Sequence, residues 1–246
     1  MGKIGKKFIK ETKYENLEEK SDQEKGEKMP ELQLDYDKNL EMIELPEFND
    51  DIIKESSFTK IVNQRKSVRE YSDEKISLRE LSYLLWNTQG IKDEGKKWSF
   101  RTVPSAGARH SFETYLLINN VKKLKNGLYR YLPFDNKLVF LNGDKNFAQD
   151  MEKACFGQKM ITQSAVTFIW AAHPYRMTWR YQQRGYRYLF MDAGHVCQNL
   201  YLSAESIGCG TCAIGAYDDD KVNGLIGLDG EKLFVIYMGT VGKKKE

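Results

Sequence analysis

Cysteine is scarce in this chain, with four residues among 246 and no regular spacing between them. That excludes a disulfide-stapled fold and points to a reducing compartment. A chain of this length buries roughly 70–75% of its unfolded surface and needs no staples. No run of about 18 apolar residues is present, so no membrane-spanning helix is expected. Segment 1–20 carries charges every few residues without an apolar centre, unlike a secretory signal. No charge sign dominates: 38 Lys and Arg face 35 Asp and Glu, a net of +3, too balanced for a dedicated nucleic-acid binder. Walker loops, metalloprotease motifs and a nucleophile elbow are missing, which argues against an NTPase and a hydrolase triad. What remains is a cytoplasmic globular protein of one large or two small domains.

The charge is unevenly distributed. Residues 1–60 hold 11 Lys/Arg and 16 Asp/Glu, a net of −5; the remainder holds 27 and 19, a net of +8. The expected organisation is an acidic N-terminal arm over 1–57 and a folded domain over 58–246. Ile43, Leu45 and Phe48 are the residues able to anchor the arm; the alternative for 10–28 is a disordered tail. A short helix is expected at 58–62. Ser77 and Glu80 have capping-box spacing ahead of Leu78, Leu81, Leu84 and Leu85, which predicts a helix over 78–88. Strands are predicted at 114–118, 128–131, 137–141, 165–172 and 233–238, with helices at 147–155 and 189–207. Helices and strands mix without strict βαβ alternation, so the fold class is α+β.

Three stretches carry candidate chemistry. In Arg65-Lys66-Ser67-Val68-Arg69, an extended backbone puts Arg65, Ser67 and Arg69 on one face. Two guanidinium forks around a hydroxyl suit a phosphate monoester; the alternative is a solvated basic turn. Pro104-Ser105-Ala106-Gly107-Ala108-Arg109-His110 has small side chains that let a backbone approach a flat ligand, or else forms a plain loop. Gly208-Cys209-Gly210-Thr211-Cys212-Ala213-Ile214-Gly215 follows a helix, not a strand, which rejects a Rossmann fingerprint. Cys209 and Cys212 form a CxxC, read as buried thiols packing as small hydrophobes, with a redox pair as the alternative. No zinc or other metal set is expected. Asp192 and His195 stand at i, i+3 and are expected to hydrogen-bond each other.

Taken in order, these stretches and Tyr186-Arg187-Tyr188-Leu189-Phe190-Met191-Asp192-Ala193-Gly194-His195 resemble the nitroreductase superfamily, in its SagB/ThcOx-type branch, over about 58–243. The resemblance implies a central, mainly antiparallel sheet flanked by helices, in a homodimer binding FMN at its interface. It implies that Arg65, Ser67 and Arg69, with Lys66 close by, meet the FMN phosphate and ribityl chain, and that Lys243 or Lys244 reaches the phosphate. Pro104, Ser105, Ala106 and Gly107 would approach the ring from the partner subunit, while Ala213, Ile214 and Gly215 present backbone to it. The implied activity is transfer of electrons from NADH or NADPH to a small organic acceptor, by alternating binding over one flavin face. Some members of the branch oxidise azolines in peptides with a Lys-Tyr pair. Arg180-Tyr181 stands at that position, and arginine cannot serve as the base. Tyr181 is the candidate proton donor and Arg180 the candidate anion-steering residue, with Gln158 and Arg187 as further pocket candidates. The alternatives are a peptide-tailoring dehydrogenase and a flavin-binding protein without turnover.

Overall fold

The computed structural model describes residues 3–245; Met1, Gly2 and Glu246, which the two expected segments include, lie outside them. In chain order the elements are α1 (Lys3–Glu11), α2 (Asp22–Lys25), β1 (Met42–Glu44), α3 (Phe58–Gln64), α4 (Leu78–Gln89), β2 (Ile91–Gly95), β3 (Trp98–Arg101), β4 (Phe112–Ile118), β5 (Gly127–Leu132), β6 (Lys137–Asn142), α5 (Phe147–Ala154), α6 (Met160–Gln163), β7 (Val166–Ala172), α7 (Pro174–Tyr181), α8 (Gly185–Ser206), β8 (Cys209–Ile214), α9 (Asp219–Ile226) and β9 (Phe234–Lys243). Seven strands form one sheet in the order β1-β6-β5-β4-β7-β9-β8, and every neighbouring pair is antiparallel. β2 and β3 make a separate hairpin.

The apolar runs of the central strands follow from burial on both sheet faces. Phe112, Leu116 and Ile118 of β4 and Val166, Phe168 and Trp170 of β7 join one core with Leu189, Val196 and Leu200 of α8. Tyr115, Leu117, Ile169 and Ala171 point the other way, into a second core with Met151 of α5 and Val222 of α9. The period-two alternation therefore sorts one apolar run into two cores. α4 starts where the spacing predicts: Ser77 accepts from the Glu80 amide, and Glu80 reaches back to the Ser77 amide.

Several elements are not foreseen from the sequence: α1, α2, α6 and α9, and the β8, β2–β3, α7 and β1 described next. β8 lies in the glycine-rich stretch, read above as a small-residue segment. Gly210 is required there because a Cβ would stand 2.6 Å from the Val68 side chain. The β2–β3 hairpin is largely exposed and charged, stabilised by Trp98 packed at a tilt against Phe100 at 4.7 Å. α7 begins on Pro174 at the helix start, where its missing N–H costs nothing. β1 adds the arm to the sheet edge through β6.

The arm folds against its own chain. Leu45 is buried, Ile43 packs on the core, and Phe48 meets Tyr83 edge-on at 5.3 Å. Among the described residues four arm–body ion pairs form, Glu41–Lys125, Glu44–Lys137, Asp51–Arg79 and Glu55–Lys60. The deeper ties run from basic side chains of the body to arm carbonyls: Arg130 to Leu34 and Asp35, Arg176 to Glu31, and Arg184 to Thr12. Segment 10–28 is likewise held, with Trp179 donating to the Glu27 carbonyl at 3.1 Å and Gln182 bonded to the Glu18 backbone.

Candidate active site

The 65–69 stretch is extended, as its alternation requires. Ser67 bridges Thr211 in parallel, and the Val68 amide donates to the Thr211 carbonyl at 2.9 Å. Val68 turns inward onto Gly210, leaving Lys66, Ser67 and Arg69 exposed and Arg65 half-buried. Among the described residues, the side chains of Arg65, Lys66 and Arg69 have no carboxylate partner. Arg65 lies over the Tyr201 ring at 5.2 Å.

Tyr201, on α8, was not singled out by the sequence. Its hydroxyl meets Ser67 Oγ at 3.1 Å and accepts from the Ala213 amide at 2.8 Å. One phenol thus joins the basic strand to the 213–215 segment, across about 140 residues of chain. The helical period put Tyr201 on α8, but nothing local marks its partners. Of the segment itself, Ile214 is buried, and Gly215 is exposed, where a Cβ would meet only the Tyr237 ring at an ordinary 3.9 Å.

The two C-terminal lysines differ from expectation. Lys243 is buried and pairs with Glu80 at 2.5 Å, so its ammonium does not reach an outside ligand. Lys244 pairs with Glu205 at 2.5 Å but keeps 28% side-chain exposure.

The 104–107 loop is anchored to α8. Asp192 accepts from Ser105 Oγ at 2.6 Å and from the Ala106 amide at 3.3 Å. His195 stands 3.9 Å from Asp192, too far for the expected hydrogen bond, because the loop already occupies the carboxylate. Burial pushes the Asp192 carboxyl up, although both loop donors favour its charged form. Gly107 adopts φ +57, and a Cβ there would run into the Tyr181 hydroxyl and approach Arg180 Nη1. The structure therefore brings Gly107, Arg180 and Tyr181 together. The Tyr181 ring packs edge-on against Tyr188 at 4.9 Å. Arg180 and Gly107 line a cleft of about 1270 Å³ between the arm and the β2–β3 hairpin.

The remaining candidates sit elsewhere. Arg187 is held by the arm, through Thr12 Oγ1 at 2.6 Å and the Ile9 carbonyl, and does not line this cleft. Gln158 donates to the Cys155 and Ala216 carbonyls, fastening the segment after Gly215. Cys209 and Cys212 lie on β8 at odd spacing and enter opposite cores, so the strand keeps them apart. Burial pushes the Cys209 thiol up to about 12 and raises Cys212, which suits inert thiols. His110 is buried beside Arg101 and Arg109, and burial with those charges lowers it to about 3, so it stays neutral. No helix among the described residues is long and apolar enough to cross a membrane.

An antiparallel sheet covered on both faces and a long helix carrying two loop anchors define an α+β scaffold. The nitroreductase family model matches residues 62–243, and the chain belongs to the nitroreductase family. A protein of Methanocaldococcus jannaschii named as a candidate nitroreductase is 35% identical over 83% of this chain and 97% of its own length. The microcin B17-processing protein McbC of Escherichia coli is 27% identical over 70% of this chain and 65% of its own length, which supports the SagB/McbC-like branch. A crystal structure of a candidate nitroreductase from Anabaena variabilis superimposes at TM-score 0.69 with 26% identity, over 85% of this chain and 42% of that one. A structure from Desulfovibrio desulfuricans, described as a complex with FMN, shares the fold at TM-score 0.55 and 15% identity, over 78% of this chain and 89% of that one. Family membership makes the protein an oxidoreductase in general terms.

Proposed function

We propose that the protein is an FMN-dependent oxidoreductase that takes electrons from NADH or NADPH and passes them to a small organic acceptor. The observation that carries this reading is the basic strand: Arg65, Lys66 and Arg69 flank Ser67 with no carboxylate among the described residues to neutralise them. A dianionic phosphate monoester fits that frame, with each arginine offering a two-pronged hydrogen bond and Ser67 a hydroxyl. Of the two lysines, Lys244 keeps 28% side-chain exposure beside its Glu205 partner and is the further cation of the proposal, whereas Lys243 is buried against Glu80. When bound, FMN supplies the electron transfer itself.

The chain's residues do the rest. The Tyr201 hydroxyl fixes Ser67 relative to Ala213, holding the phosphate frame at one distance from the backbone at 213–215. The Ala213 amide is taken by Tyr201 and Ile214 is paired with Met238 of β9, so Gly215, just beyond the strand, is the position of the three whose backbone can face the ring. The Tyr181 hydroxyl stands against Gly107, a residue of the cleft wall, and is the candidate proton donor to an acceptor there. Arg180 orients that acceptor electrostatically. Alternating binding of reductant and acceptor predicts parallel double-reciprocal lines when both concentrations are varied; intersecting lines would contradict it.

A homodimer is part of the proposal. Asp192, which holds the 104–107 loop, and Tyr201, which holds the phosphate frame, are nine residues apart on α8. At 100° and 1.5 Å per residue they lie about 14 Å apart on opposite sides of the helix. Each chain's Pro104, Ser105, Ala106 and Gly107 thus face away from its own frame, which suits completion of a second subunit's site. Phe190 and Met191 are 58% and 57% exposed on α8. Phe190→Glu should convert the dimer to monomer in light scattering and lower flavin retention with it.

The McbC likeness supports a second reading, a tailoring dehydrogenase acting on a peptide. It predicts poor turnover of small acceptors and a need for a partner that delivers the peptide. Arg180, where that activity would want a base, disfavours it.

A further inference from the structure

The cleft beside Arg180 contains a second guanidinium that the proposed redox chemistry does not use. Arg109 lines it and is only 6% exposed. Its Nε donates to the Arg176 carbonyl at 3.0 Å. Its Nη1 faces nothing better than the Met29 sulfur at 3.9 Å, a weak acceptor. Its Nη2 is buried without a partner among the described residues. One face is covered by the Trp179 ring at 5.1 Å. No described carboxylate pairs with it, and its charged neighbours are Arg176 and Arg180. Burial and those two like charges lower its pKa.

The surroundings share this surplus. Arg101, Arg130 and Arg176 are buried around the one carboxylate of Glu113, and Arg109 is buried beside Arg176. Arg101 Nε and Arg176 Nη1 also lack partners among the described residues. A dry interior does not tolerate unpaired charge cheaply, so a cation with idle donors at a cleft marks a place for an anion. Across the cleft, the packed Trp98 and Phe100 rings present an apolar wall.

We propose that this cleft binds a small aromatic carboxylate, its carboxylate on Arg109 in place of the Met29 sulfur, its ring against Trp98 and Phe100, with Arg180 as the second cation. The inference rests on the oxidoreductase reading, in which the cleft holds the acceptor, and names the groups by which that acceptor is held, the electrons going to a separate reducible substituent. The test uses flavin-free full-length protein and calorimetric titration with benzoate and its neutral counterpart benzamide. Benzoate should bind at least tenfold tighter, about the effect of one charge-assisted pair. Arg109→Gln should lower benzoate affinity roughly 10- to 100-fold and leave benzamide unchanged, with Arg109→Lys in between. Equal affinity for the two probes, binding of neither at about 10 mM, or an unaltered affinity in Arg109→Gln would overturn the proposal. The wild-type comparison stands even if the variant does not fold. Flavin uptake is measured separately. Benzoate selectivity without flavin retention would remove the redox reading alone, and retention without selectivity would remove the carboxylate site alone.

Discussion

Glu113→Gln is expected to destabilise the protein by about 3–5 kcal/mol, the usual cost of removing one partner from a buried ion pair. Glu113 is 2% exposed and bridges Arg130 at 2.8 Å and Arg176 at 2.6 Å. It also accepts from the Leu34 amide at 3.0 Å, so the same carboxylate holds the arm. Without it, two arginines remain in the interior uncompensated. Urea unfolding reads the loss directly, and limited proteolysis should show earlier cleavage around residue 34. The pH dependence has a definite sign. Burial pushes the Glu113 carboxyl up, but Arg176, Arg130 and the Leu34 amide outweigh it and hold the carboxyl below its ordinary value of 4.5. A carboxylate lowered on folding contributes stability that is complete above that value and is lost as pH falls through the folded one. Wild-type stability should therefore fall in that acid window, and the Gln variant should lack that component.

Arg65→Gln combined with Arg69→Gln should weaken FMN binding by about 3 kcal/mol or more, roughly 100-fold or greater. In the proposed site each arginine would contribute charge-assisted bonds to one phosphate, and neither has a described carboxylate to fall back on. Both lie on a partly exposed strand, so the melting temperature without flavin should change little. That contrast separates the pair from Glu113, whose loss harms folding first. Equilibrium dialysis with FMN gives the affinity. An unchanged affinity would move the phosphate away from this strand.

Much of this architecture was legible in the sequence, and the exceptions share a cause. The α4 helix is written locally, in Ser77, Glu80 and the leucine spacing, and the apolar β4 and β7 runs can hardly be anything but buried strands. β8 was hidden because Gly210 has low strand propensity, and its place depends on Val68, distant in sequence. The arm's fixed course was equally hidden, since its ties come from Arg130, Arg176 and Arg184 on three separate elements. At the site, residue types pointed to Arg65, Ser67 and Arg69, but Tyr201 and the Asp192 anchor emerge only when helix and loops pack. Lys243 looked free in sequence because nothing there tells that Glu80 will stand beside it.

The central claim, that the basic strand and the 213–215 backbone hold a working flavin, is tested most directly by one spectrum. The full-length protein is mixed with FMN, freed of excess, and recorded before and after anaerobic addition of NADH or NADPH. The account predicts a retained yellow flavin that bleaches with at least one nucleotide. Protein that emerges colourless would contradict the phosphate frame at Arg65, Ser67 and Arg69, and retained flavin that neither nucleotide bleaches would contradict the proposed NAD(P)H-driven reaction.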